Sequence, residues 1–173
     1  MPDSLDRLIS AEEIRARTIE IARAIDEASS EPLLLIAILK GSVHFLSDLG
    51  RALQRETEVD FIQVSSYRDQ KHSSGVVQIR KDSDINMEGR NVLIVEDIVD
   101  TGATLNHLRE LLATRNPKSL AVATLLSKPE ARKVQVPIEY VGFEIPNEFV
   151  VGYGLDYAER YRNLPYIAIL REG

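Results

Sequence analysis

Three apolar runs stand out along the chain, at residues 33–39, 92–95 and 120–126. Each is short, aliphatic and free of polar alternation, the pattern of a strand buried on both faces of a parallel sheet. Between them the apolar positions change period. Ile14, Thr18, Ile21, Ile25 and Ala28 recur at spacings of three and four, as do Phe45, Leu49, Ala52 and Leu53, and then Leu105, Leu108, Leu111 and Leu112. These are three amphipathic helices, the last over 102–115. Ser10-Ala11-Glu12-Glu13 is a capping box that opens the first. Pro32 and Asn116-Pro117 close the first and third. Residues 59–65 and 76–79 read as strands flanking a polar, aperiodic stretch at 68–75, so 59–80 is expected to be a long hairpin. A polar connection, 82–90, turns at Gly89. Further strands are expected at 139–143, 150–153 and 166–170, whereas residues 1–9 read as a loose lead-in. Strands alternating with helices predict a doubly wound α/β fold with a mainly parallel central sheet. A single domain over 1–173 is expected, in which the lead-in and about 145–173 fold over the strand ends as a small hood.

Composition narrows the function. The net charge of −6 argues against a dedicated nucleic-acid binder, and no apolar run approaches membrane-spanning length. With no cysteine there is no disulfide framework and no thiolate metal site. His44, His72 and His107 are too scattered to form a metal site. The mixed, charged N-terminus does not read as a signal peptide, so a cytoplasmic location is expected.

The chemistry gathers after the run at 92–95. Glu96 and Asp97 are adjacent carboxylates, Asp100 follows, and Thr101-Gly102-Ala103-Thr104 leads into the third helix. This reads as a strand, an acidic turn and a helix N-terminus. Free backbone N–H groups, two hydroxyls and a positive helix end suit a phosphate. No lysine follows the glycine, so this is not a nucleotide P-loop. Glu96 and Asp97 would repel a polyphosphate but would accept hydrogen bonds from a vicinal diol, or help to hold Mg²⁺. One phosphate and a diol describe a ribose 5-phosphate, with Asp100 between them as a candidate base. Lys40-Gly41-Ser42 is a second strand-to-helix turn, where glycine lets backbone approach a ligand and Lys40 brings a charge.

The segment 92–105, Val-Leu-Ile-Val-Glu-Asp-Ile-Val-Asp-Thr-Gly-Ala-Thr-Leu, resembles the phosphoribosyl-pyrophosphate motif of type I phosphoribosyltransferases. The resemblance is nearest to their hypoxanthine-guanine branch and runs from about residue 10 onward. It implies that Leu39, Lys40 and Gly41 form a pyrophosphate-binding loop with a non-proline cis peptide at Leu39-Lys40. It implies a lid, with Ser66 and Tyr67 closing over the ligands; the polar, aperiodic 68–75 loop itself reads as mobile when the site is empty. Lys128 then donates to the purine 6-oxygen, Phe149 stacks on the base, and the Val150 backbone reads the ring edge. Asp156 lies beside the purine and binds Mg²⁺, for which Glu96 and Asp97 are further candidates, and Arg162 contacts pyrophosphate. Ala103 stands where some relatives carry a larger residue.

The expected activity is transfer of 5-phosphoribosyl from 5-phosphoribosyl 1-pyrophosphate to hypoxanthine or guanine, with Mg²⁺ as cofactor. The partners expected are these small molecules and a second or further copies of the chain, as a homodimer or homotetramer. Two rivals stand beside this reading. One is a nucleotide-sensing or RNA-binding regulator on the same fold without catalysis. The other is a transferase acting on another base, such as xanthine or a pyrimidine.

Overall fold

The computed structural model describes residues 3–66 and 77–173. The elements, in chain order, are β1 (Ser4–Ile9), α1 (Ala11–Ala28), β2 (Leu33–Leu39), α2 (Val43–Ala52), β3 (Thr57–Ser66), β4 (Val77–Lys81), β5 (Asn91–Val99), α3 (Ala103–Ala113), β6 (Ser119–Ser127), β7 (Tyr140–Glu144), β8 (Val150–Val151) and β9 (Ile167–Arg171). A six-stranded sheet runs in the order β4-β3-β2-β5-β6-β7. Its strands are parallel except β4, which returns antiparallel to β3.

The apolar runs are buried on both faces, as their pattern predicts. Leu33, Leu35 and Ala37 pack with Ile14, Ile21, Phe45 and Leu49 of α1 and α2. Leu34, Ile36 and Ile38 pack on the opposite side with Leu105, Leu108 and Leu112 of α3. The capping box is present. The Glu13 N–H donates to Ser10 Oγ at 3.1 Å, and the Ser10 N–H donates to a Glu13 carboxylate oxygen at 2.8 Å.

Two boundaries differ most from expectation. Residues 4–9 are not a loose lead-in: they form β1, which pairs antiparallel with β9 in a second, three-stranded sheet ordered β1-β9-β8. Polar Ser4, Asp6 and Arg7 hid this strand, because one of its faces is open to solvent. The acidic turn also begins later than expected. β5 continues through Glu96 and Asp97 to Val99, paired with β6 from Glu96↔Thr124 to Val99↔Ser127. The change from apolar to acidic residues marks entry into a site, not the end of the strand.

Topology decides where a ligand can sit. The chain leaves β2 through α2 for β3 on one side, and leaves β5 through α3 for β6 on the other. The order therefore reverses between β2 and β5. In open α/β sheets the crevice beyond the carboxyl ends of such a pair is the place for ligands.

Candidate active site

Both candidate turns lie at this reversal. Beyond β5, Gly102 adopts a left-handed φ of +85° and caps α3. A side chain there would meet the Val134 carbonyl at 2.6 Å, so glycine is required both by conformation and by packing. The Lys133 and Val134 N–H groups donate to the Thr101 carbonyl at 2.9 and 3.0 Å, and the Ala103 N–H to Thr101 Oγ at 3.3 Å. The turn is thus fixed from behind, while the opening N–H groups of α3 have no partner within the helix. A cleft of about 210 Å³ lies in front, lined by Ile38, Glu96, Asp100, Thr101, Gly102 and Thr104 among others.

Glu96 and Asp97 are placed against electrostatic preference. Burial, and then the neighbouring Asp97 charge, push the Glu96 carboxyl well above its ordinary range. Burial also raises Asp97, against the N–H of Ile98 and the charge of Arg162, which favour the ionised form. The pair is short of donors and counter-charge, so its ionised form is costly until hydroxyl donors or a cation reach it.

Beyond β2, the Leu39-Lys40 peptide is cis, as the resemblance implied. The two turns interlock here. A side chain at Gly41 would overlap the Asp97 carboxylate, and one at Gly154 would overlap the Gly41 carbonyl. Arg162 donates to the Gly154 carbonyl at 2.6 Å and reaches Asp156 at 3.3 Å and Glu159 at 3.2 Å. Lys40 also reaches Glu159, at 3.2 Å. Lys40, Gly41, Asp97, Asp156 and Arg162 therefore form one connected group.

On the other flank, Lys128 is buried just beyond β6, with its ammonium 3.8 Å from the Asp100 carboxylate. Asp100 itself is half exposed. Phe149 is 52% exposed, unusual for so large an apolar ring, and meets Tyr157 edge-on with centroids 5.8 Å apart. Val150 stands opposite Ile169 on β8, the outer strand of the small sheet. The Leu170 N–H donates to the Phe149 carbonyl at 3.0 Å. Val150 therefore occupies the adjoining non-hydrogen-bonded pair, which turns its N–H and C=O to the open edge. Ser66 ends β3 opposite Val77. Tyr67 and the 68–75 loop lie outside the described residues.

The profile of the phosphoribosyl transferase domain matches residues 5–158. The chain belongs to this family. A hypoxanthine-guanine phosphoribosyltransferase from Mycobacterium avium is 54% identical over 170 residues, covering 94% of this chain and 84% of the relative. A hypoxanthine phosphoribosyltransferase from Escherichia coli K12 is 49% identical and covers 96% of each chain. A crystal structure of a hypoxanthine-guanine phosphoribosyltransferase from Bacillus anthracis superposes with a TM-score of 0.92 at 48% identity, covering 95% of this chain and 97% of that one. The type I phosphoribosyltransferase fold expected from residues 92–105 is the fold observed.

Three site-bordering residues of this phosphoribosyltransferase escaped the sequence pattern. Arg132 donates to the Asp100 carbonyl at 3.2 Å and to Ser127 Oγ at 2.8 Å, and its stem packs at Gly102. Tyr153, left-handed at φ +49°, donates its hydroxyl to Asp48 of α2. Glu159 gathers Lys40 and Arg162. Each acts by a long-range contact, and no local spacing signals it. Among the described residues no three His, Cys, Asp or Glu side chains converge to hold a metal alone. Mg²⁺ takes one or two carboxylates together with substrate phosphates and water. Asp156 and the Glu96–Asp97 pair supply carboxylates of that kind.

Proposed function

We propose that this protein transfers 5-phosphoribosyl from 5-phosphoribosyl 1-pyrophosphate to hypoxanthine or guanine, releasing pyrophosphate and the nucleoside 5′-monophosphate. The observation that carries this reading is the pairing of Lys128 with Asp100, 3.8 Å apart, at the mouth of the phosphate-suited turn. In a 6-oxopurine the 6-oxygen and N7 are neighbours on one edge of the base. A buried ammonium suits the first, and a carboxylate able to take a proton suits the second. The names of the relatives agree with this substrate class.

The other roles follow from placement. Thr101, Gly102, Ala103 and Thr104 hold the 5-phosphate with backbone N–H groups and hydroxyls. Glu96 and Asp97 accept from the ribose hydroxyls, which supplies the donors that this buried pair lacks. Phe149 stacks on the base, and the outward N–H and C=O of Val150 read its edge. Leu39, Lys40, Gly41 and Arg162 receive the departing pyrophosphate and offset its charge. Asp100 takes the proton from N7 as the bond to C1 forms. Asp156, with help from Glu96 or Asp97, would hold Mg²⁺, which would offset pyrophosphate charge. So highly charged a donor does not cross membranes, in keeping with a cytoplasmic location. We expect a homodimer or homotetramer, for which the exposed apolar Ile19 and Val43 on α1 and α2 offer surface.

Initial rates with a panel of bases, the donor and Mg²⁺ test the reading. Hypoxanthine and guanine should be used, and adenine should be poorer by on the order of 10⁴ in kcat/KM. Adenine would set an N–H donor against Lys128, leaving a buried charge unpaired. Lys128→Met should lose most activity on hypoxanthine and narrow its lead over adenine. Adenine use within about tenfold of hypoxanthine would remove Lys128 from the 6-position, since roughly 1.4 kcal/mol is too little for such a mismatch. No nucleotide formed from any base would leave the non-catalytic regulator.

A further inference from the structure

Lys40 and Arg162 come from distant parts of the chain, the turn after β2 and the segment after β8, yet they meet on one side chain. Glu159 Oε2 accepts from Lys40 Nζ at 3.2 Å, and Oε1 accepts from an Arg162 Nη at 3.2 Å. Each oxygen of one carboxylate thus holds one of the two cations assigned above to pyrophosphate. A phosphoryl group presents two oxygens in a comparable bridging arrangement. The backbone delivers Glu159 by an unusual route. Ala158, Glu159 and Tyr161 have φ of +51°, +63° and +76°, left-handed values that side chains of these types rarely adopt. The turn is closed by reciprocal backbone hydrogen bonds between Tyr157 and Arg160, and the Glu159 N–H donates to Asp156 at 2.9 Å. Non-glycine residues held in this region cluster where a side chain has to be aimed. A carboxylate with a cation on each oxygen is held as the anion between them.

We propose that Glu159 is a resident stand-in for pyrophosphate. It occupies Lys40 and Arg162 in the free protein, must yield them to the incoming ligand, and so sets how tightly pyrophosphate and the donor bind. The inference rests on the phosphoribosyl-transfer reading above and adds to it a residue that opposes binding. Displacement is feasible because the pairs are exposed, with the Lys40 and Glu159 side chains 55% and 64% accessible. Exposed ion pairs are weak and exchange readily. A pyrophosphate carries more charge than the carboxylate it replaces. Until it arrives, Glu159 keeps two mutually repelling cations in place and limits their hold on unrelated anions.

The test is titration calorimetry of pyrophosphate with Mg²⁺ into the full chain, alongside donor KM and kcat. Glu159→Gln should tighten pyrophosphate by about three- to tenfold, with donor KM falling in step and kcat not rising. Glu159→Asn, better suited to a left-handed backbone, should tighten it similarly and separates charge from any damage to the turn. In a Lys40→Met background the gain should shrink, because one of the two cations that Glu159 occupies is gone. Equal or weaker binding in both Glu159 variants would overturn the proposal. So would a gain of the same size in the Lys40→Met background, which would mark a diffuse field effect. Wild-type protein that binds neither pyrophosphate nor the donor would sink the transfer reading, and this proposal with it. Wild-type binding without a Glu159 effect would sink this proposal alone.

Discussion

Asp60 and Glu96 are buried carboxylates in the same sheet, and they are treated in opposite ways. Asp60 on β3 pairs with Ile36 of β2, which pairs with Ile94 of β5, two residues before Glu96. Asp60 accepts from the Phe61 N–H at 2.8 Å, Ser83 Oγ at 2.6 Å, the Asp84 N–H at 2.8 Å and the Ile85 N–H at 3.0 Å. Burial would raise its pKa, but these donors outweigh it and hold Asp60 down at about 2. Glu96 has no such set of donors, and burial drives it the other way. The protein completes the first carboxylate itself, to tie the 82–85 connection to the sheet. It leaves the second incomplete at the end of the strand beside the phosphate-suited turn. If Glu96 takes the ribose as proposed, burial alone does not distinguish a structural carboxylate from a functional one. The distinction lies in whether the protein's own donors reach it.

Substitutions should separate the two classes in opposite directions. The largest effect is expected just beyond Glu96. Asp100→Asn keeps the shape and removes the basicity, so kcat should fall by about 10²–10⁴-fold with little change in donor KM. An unimpaired kcat would remove Asp100 from the role of base. Glu96→Gln should lower kcat/KM for the donor by roughly 10- to 100-fold, the loss of a charge-assisted hydrogen bond. It should also raise Tm at pH 8, because it removes a buried charge that the free protein does not compensate. A variant that loses both stability and activity would put Glu96 in the same class as Asp60.

Asp60→Asn should do the reverse. Unsatisfied donors in the 82–85 connection cost about 1–3 kcal/mol, or roughly 2–10 °C in Tm, while kcat per folded molecule stays near wild type. The smallest effect is the pH dependence of these two stability changes, read by thermal melts. Asp60 titrates lower folded than unfolded, so its contribution is full above its ordinary 3.8 and is lost as pH falls toward about 2. Glu96 titrates higher folded than unfolded. Below its ordinary 4.5 it is protonated in both states and costs nothing, and the cost grows as pH rises through its folded value. The Tm gain of Glu96→Gln should therefore shrink on acidification, and a gain independent of pH would point to packing instead of charge.

Much of this was legible in the chain. The run at 33–39 matches β2 from end to end, because a strand buried on both faces has no reason to interrupt its apolar residues. The capping box at Ser10 and Glu13 is a local device and forms as read. The candidate residues 96–104 are close in sequence, so their pattern survives as a motif. The lead-in was misread because β1 is stabilised by pairing with β9, about 160 residues away, and its own pattern is mostly polar.

The sequence by itself determined the buried strands of the central sheet, the helices and the phosphate-suited turn, since each depends on apolar period, glycine and helix-end chemistry within a few residues. Only the tertiary structure decided what those parts could do together. The reversal of strand order between β2 and β5 brings Gly41 against Asp97. The buried strand ends set Lys128 beside Asp100. A left-handed turn near the C-terminus carries Glu159 to Lys40, 119 positions earlier in the chain. Charge and shape complementarity act through distance in space, and no periodicity along the chain encodes that distance.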